Sequence, residues 1–223
     1  MPSVLQRILS ALVLAPVVLL TTYLGGIWFL VMVLGIVGVG LFEWWRMCAN
    51  AKSSHTRNFW AVVGAVYLGL AGTCMFWMRI PETSGYYVEF WLYAIVWGTD
   101  TGAYIAGTLI GGPKLASRIS PKKTWAGLLG GVAVSGAVGY TAYVHYGVGA
   151  SLNVMIAASI ALAIVSQFGD LLESFAKRSF GVKDSGSLIP GHGGVLDRVD
   201  GLFAAALGLA FLRLTFPEAL GVW

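Results

Sequence analysis

Residues 1–20 read MPSVLQRILSALVLAPVVLL, and they force a choice between a leader and a first membrane helix. Arg7 ahead of an apolar run resembles a secretory signal, but no convincing small-residue cleavage site follows. Further runs of the same kind come after it, so the segment is read as a retained span. A helix needs about 20 apolar residues to cross the hydrocarbon layer. Segments of that kind recur at roughly 5–22, 26–46, 59–79, 86–109, 124–146, 152–174 and 200–217.

Composition agrees with this reading. Hydrophobic residues make up 57% of the 223 and charged residues 11%, against about a quarter charged in soluble domains. Mean hydropathy is +0.78. A backbone facing lipid must satisfy its hydrogen bonds within each span. The expected fold is therefore all-α: a polytopic transmembrane helical bundle of about seven spans, one integral membrane domain over 1–223. Within it, 1–99 are expected to be amino-terminal spans and 100–200 a catalytic core, with polar loops forming the site.

When the connections alternate sides, twelve of the fourteen Lys and Arg residues fall on one face, leaving Arg79 and Arg213 opposite. The positive-inside rule makes that face cytoplasmic. It carries both long polar loops, about 110–123 and 175–199, so chemistry is expected there. The basic residues serve topology and these loops, and nucleic acid is not an expected partner despite a pI near 9.1. Cys48 and Cys74 form no C-x-x-C pair and indicate neither a disulfide nor zinc. Small residues at helix-packing spacing stand in GTDTG (Gly98, Gly102) and GLLGG (Gly127, Gly131).

Several charges lie where charge is costly. Asp100, near the middle of the fourth segment, is either half of a structural polar pair between helices or a site-lining carboxylate, with Tyr104 one turn away. In SQFGDLLESFAKRSFG, residues Asp170, Glu173, Ser174 and Lys177 share one helix face. Such a stripe alone is usually a solvated helix end. Here it runs into KDSGSLIPGHGGVLDRVD, residues 183–200, where Asp197 and Asp200 stand three apart at the start of the last segment. They either cap that helix or offer paired oxygens of the kind Mg²⁺ takes. His192, flanked by Gly191, Gly193 and Gly194, is a candidate phosphate contact or proton donor.

The other loop, GGPKLASRISPKKTWAG, brings four cations. Ser120 is expected to cap the fifth helix with Pro121 in its first position, which places Lys122 and Lys123 in the first turn. That reverses the usual preference for acids and calls for an anionic lipid headgroup or a bound phosphate. No P-loop, Ser-His-Asp set or H-E-x-x-H is present. Clustered acids, clustered bases and a glycine-rich loop match metal-assisted chemistry on a phosphate.

The run Ser174-x2-Lys177-Arg178-x4-Lys183-Asp184-x-Gly186-x2-Ile189-Pro190-x-His192-Gly193-Gly194-x2-Asp197-Arg198-x-Asp200 closely resembles the signature of the phosphatidate cytidylyltransferase (CDP-diacylglycerol synthase) family. DTGAYIAG, SPKKTWAG, GDLLES and the opening QRILSALVLAP look like other blocks of that family, in the same order. Ala176 stands where the family usually has a larger apolar residue, and Gly201 where serine is common. The chain is also short between its second span and Asp100.

The resemblance implies transfer of CMP from CTP to phosphatidic acid in a membrane-lipid setting, releasing pyrophosphate and forming CDP-diacylglycerol. It implies a bacterial inner-membrane protein with its site facing the cytoplasm and a homodimer as an option. Expected roles are metal binding for Asp170, Asp197, Asp200 and Asp100. Catalytic contacts are expected from Lys177 and His192 beside the acids, and substrate contacts from Ser174, Arg178, Lys183, Arg198, Lys122, Lys123, Gly193 and Gly194. The implied cofactor is Mg²⁺, with a second, monovalent cation an option. Three alternatives weigh less: a CTP-dependent polyprenol or phytol kinase, an ion-coupled transporter, and a non-catalytic binder of anionic lipid.

Overall fold

The computed structural model describes residues 4–80, 85–146, 150–189 and 193–220. Among them run seven helices: α1 (Val4–Leu24), α2 (Gly26–Cys48), α3 (Ser54–Arg79), α4 (Gly85–Leu109), α5 (Trp125–Tyr146), α6 (Leu152–Ser179) and α7 (Leu196–Thr215). The protein is an all-α polytopic membrane bundle. Helices α2, α3, α5 and α6 are each long and apolar enough to cross a membrane, and α1 is apolar over Ser10–Leu24. Leu12, Val13, Val31, Leu34, Val62 and Val66 face outward and bare, as side chains meeting acyl chains would.

Between helices in lipid there is little hydrophobic drive, so small residues that let backbones meet decide the contacts. The α4–α5 seam shows this. A Cβ on Gly102 would stand 2.7 Å from the Gly130 carbonyl, one on Gly127 2.9 Å from that of Ala103, and one on Gly131 2.8 Å from that of Thr99. Thr99 and Ser135 exchange a buried hydroxyl hydrogen bond of 2.6 Å on the same seam. The second close crossing is α6–α7. Gly169 abuts the Asp200 carbonyl and Ala204, and Gly201 abuts the Ser166 carbonyl. That crossing sets α6 carboxylates beside α7 carboxylates.

The Ser120-Pro121 expectation is corrected. Lys114–Ala116 (β1) and Ser120–Thr124 (β2) pair antiparallel, with Lys114 opposite Thr124 and Ala116 opposite Ser120. Trp125 N–H closes the hairpin on the Pro113 carbonyl at 3.1 Å. Proline is tolerated in a two-stranded ribbon, where each strand has a free edge. Helix α5 begins only at Trp125, and its cap is Thr124, whose Oγ1 accepts from Gly127 N–H at 3.0 Å. Lys122 and Lys123 are therefore strand residues, and the charge conflict expected at a helix start does not arise.

The hairpin, the α2–α3 turn and the loop before α7 share one end of the bundle, where Trp44 Nε1 donates to the Trp60 carbonyl and Trp60 packs edge-on to Phe180 at the end of α6. At the opposite end stand the two cations that break the charge bias. Arg79 donates to the carbonyls of Thr22 (2.8 Å) and Tyr23 (3.1 Å) and lies over the Tyr86 ring. Arg213 lies over the Trp77 ring at 4.7 Å. Each has a local partner that offsets its position.

Candidate active site

One face of α6 is the spine of the site. Spacing of three and four residues stacks side chains on a helix. Ser174 Oγ donates to Asp170 Oδ1 at 3.2 Å, and Lys177 Nζ lies 3.4 Å from Glu173 Oε1. From the hairpin, Lys123 Nζ reaches Asp170 Oδ2 at 2.7 Å and the Gln167 carbonyl at 3.4 Å. Gln167 Nε2 in turn donates to Asp100 Oδ1 on α4 at 3.2 Å. A cavity of about 170 Å³ opens here, lined by Asp100, Tyr104, Lys122, Lys123, Gln167 and Gly127. Asp100 and Tyr104 are exposed on its outer flank, so the polar site opens sideways from the bundle.

At the other end of the spine Lys177 Nζ meets Asp197 Oδ1 at 2.5 Å, with both side chains under a tenth exposed. Asp197 Oδ2 accepts from the N–H groups of Ser185 and Gly194, each at 2.9 Å, and lies 3.0 Å from the Ser185 hydroxyl. Asp197 sits at the mouth of the bundle, ahead of the apolar stretch of α7. Burial opposes its charge. The Lys177 ammonium and the two N–H groups outweigh that and hold the carboxyl below its usual range.

Asp200 lies one turn deeper. Its Oδ1 accepts from Gly201 N–H at 2.7 Å, and its carboxylate is within electrostatic reach of Glu173 and Asp170. Glu173 Oε2 is buried with no hydrogen-bond partner among the described residues. Along this seam, among the described residues, Asp170, Glu173, Asp197 and Asp200 pair with two ammonium groups, those of Lys123 and Lys177. No three His, Cys, Asp or Glu side chains converge as a ready metal-ligand set among the described residues. An excess of buried carboxylate with an orphaned oxygen nonetheless fits Mg²⁺, which usually takes one or two carboxylates and completes its shell with phosphate and water.

The structure brings together Asp170, Ser174, Lys177, Asp197, Asp200, Lys123 and, through Gln167, Asp100. Lys122, Arg178, Lys183 and Arg198 are exposed around the mouth, and Arg178 gives one N–H to the Val182 carbonyl at 2.9 Å. Gly193 has φ +85°, a left-handed geometry that favours glycine, and its carbonyl accepts from Ile189 N–H. Gly194 spends its N–H on Asp197, so that group is not free for a phosphate. His192 lies outside the described residues.

Sequence reasoning missed Gln167, Thr124 and Glu43. Gln167 precedes Asp170 by three positions on the same face, a spacing that pointed to it. Glu43, on α2, is 3% exposed. Its Oε1 accepts from Val195 N–H (3.0 Å), and its Oε2 from Leu196 N–H (2.9 Å) and the Ser185 hydroxyl (3.0 Å). An acid inside the apolar run LFEWW was its only signal.

Fold and site together define a class: an integral membrane protein whose helix ends gather acids and bases beside a glycine-rich loop. The model of the Cytidylyltransferase family matches residues 5–80 and 51–216, and the chain belongs to that family. It is 35% identical to the phosphatidate cytidylyltransferase of Brucella suis biovar 1 (strain 1330) over 260 aligned positions, covering 98% of this chain and 96% of the relative. To that of Rickettsia bellii (strain RML369-C) it is 33% identical, covering 93% and 89%. To that of Haemophilus influenzae (strain ATCC 51907 / DSM 11121 / KW20 / Rd) it is 42% identical over 126 positions, covering 54% and 43%.

Proposed function

We propose that the protein transfers CMP from CTP to phosphatidate, giving CDP-diacylglycerol and pyrophosphate. The observation that carries this reading is the α6–α7 seam, where Asp170, Glu173, Asp197 and Asp200 outnumber Lys123 and Lys177, with Lys123 also lining the cavity on the flank of the bundle. The names of the relatives supply the substrates. A phosphate oxygen of phosphatidate attacks the α-phosphorus of CTP, the bond from that phosphorus to the bridging oxygen of the β-phosphate breaks, and pyrophosphate leaves. The nucleophile is already an anion and needs no strong base. The demand is for charge neutralisation and in-line alignment.

Mg²⁺, when bound, would neutralise phosphate charge and polarise the α-phosphate. Asp170 and Asp200 are its best-suited holders, with Glu173 beside them. Asp170 has one contact to each oxygen and keeps acceptor capacity. Asp197 is crowded by Lys177, two backbone N–H groups and the Ser185 hydroxyl and is better placed to hold Lys177 and the loop, while Asp100 orients Gln167. Lys123 and Lys177 face the phosphates from either end of the spine. Lys122, Arg178, Lys183 and Arg198 attract the polyanionic triphosphate of CTP to the mouth, with Ser174 steadying Asp170. His192 remains a candidate contact to the leaving pyrophosphate. The sideways opening suits a lipid that stays in its leaflet while CTP arrives from water. By the charge bias that water is the cytoplasm, and the bacterial relatives favour a bacterial inner membrane.

The test is pyrophosphate release by the detergent-purified protein given CTP, Mg²⁺ and phosphatidate. Release that requires both substrates and collapses in Asp200→Asn is expected. CDP appearing with a polyprenol acceptor, and no pyrophosphate, would overturn the reading in favour of a kinase.

A further inference from the structure

Helix α7 starts without a cap of its own: Val195 occupies the cap position and its side chain accepts nothing. The first N–H groups of a helix need acceptors, and at this one they come from another helix. Glu43 of α2 takes the N–H of Val195 and of Leu196 and the hydroxyl of Ser185. A carboxylate inside an apolar span is costly unless fully paired. With three donors and the positive end of α7 before it, this one is.

Two glycines of the polar loop pack against it, and Gly194 packs also against the Ser185 hydroxyl. A Cβ on Gly186 would stand 2.5 Å from Glu43 Oε1, and one on Gly194 2.5 Å from Glu43 Oε2. From there the contacts pass inward. Ser185 and Gly194 donate to Asp197, and Asp197 holds Lys177.

We propose that Glu43 is a positioning residue for the transfer reaction: from outside the polar loops it clamps Ser185, Val195 and Leu196, and thereby sets where Asp197 presents Lys177. The proposal rests on the cytidylyl-transfer reading. Glu43 touches no substrate, so its loss should disturb turnover more than affinity. Glu43→Gln turns an acceptor into a donor facing backbone N–H groups.

The experiment measures kcat and both KM values on purified Glu43→Gln, Glu43→Ala, Gly186→Ala and the Glu43→Ala/Gly186→Ala double variant, with melting temperature alongside. Glu43→Gln is expected to lower kcat roughly 10- to 100-fold, the range for an orphaned buried donor, with little change in either KM. Gly186→Ala should be damaging alone and add nothing in the Glu43→Ala background, because the three nearest atoms to its added Cβ all belong to Glu43. Wild-type kcat in Glu43→Gln, or independent multiplying losses in the double variant, would overturn the proposal. So would loss that tracks melting temperature with kcat and KM moving together. If the wild type releases no pyrophosphate, the transfer reading fails and the clamp is judged by trypsin cleavage after exposed Lys183. Faster nicking in Glu43→Gln supports the clamp, and an unchanged rate overturns it.

Discussion

Lys177 on α6 and Asp197 on α7 meet at 2.5 Å with both side chains under a tenth exposed, and the same ammonium lies 3.4 Å from Glu173. Removing one partner of a buried pair leaves an uncompensated charge and costs about 3–5 kcal/mol. Lys177→Met is therefore expected to lose pyrophosphate release and to melt well below the wild type. Lys177→Arg should recover the fold before it recovers turnover, since the fork of a guanidinium does not reproduce a point contact. Differential scanning of both variants beside the activity assay separates the two effects.

Lys122 and Lys123 are adjacent in sequence and unequal in place. Strand alternation turns Lys123 to Asp170 and leaves Lys122 exposed. Lys123→Ala should reduce kcat by about 100-fold, as for a lost electrostatic contact to the transition state. Lys122→Ala should act chiefly on the KM for CTP or phosphatidate, and more weakly at high salt. Steady-state kinetics at two ionic strengths checks the split.

Ser174 touches Asp170 from the adjacent turn. If Asp170 holds Mg²⁺, Ser174→Ala should raise the Mg²⁺ needed for half-maximal activity roughly tenfold, the usual effect of removing a ligand's own partner. Chelation should abolish turnover in both proteins, and titration of Mg²⁺ back into the assay reads the difference.

Gly130 packs so closely on Ala106 and the Gly102 carbonyl that a side chain has no room. Gly130→Val is expected to cost about 1–3 kcal/mol by overpacking. It should also part α4 from α5 and draw Asp100 away from Gln167. Thermal melting reports the first effect, and a rise in the KM for phosphatidate the second.

Helix limits were readable because hydropathy rises and falls at the bilayer scale: the segment read at 26–46 is α2 over 26–48, and that at 86–109 is α4 over 85–109. The α6 face was readable because a helix places i, i+3, i+4 and i+7 together whatever surrounds them. The glycines of α4 and α5 were visible as spacing, and the structure shows them facing neighbouring carbonyls. The β1–β2 hairpin was hidden, since its eleven residues carry no alternating apolar pattern and Ser-Pro imitates a helix start. The engagement of Asp197 was hidden because its donors, Ser185 and Lys177, are 12 and 20 residues away. Glu43 was invisible for the same reason, with partners 142 to 153 residues away.

That last separation matters before the protein is finished. Ribosomes add roughly 5–20 residues per second, so α2 would wait on the order of ten seconds or more between its own synthesis and that of Val195. During that interval the Glu43 carboxyl has none of its three donors while its helix lies beside the insertion machinery. It would keep to water at the membrane edge or lean on a chaperone until α7 arrives. The last helix to be made is thus the one that completes the second.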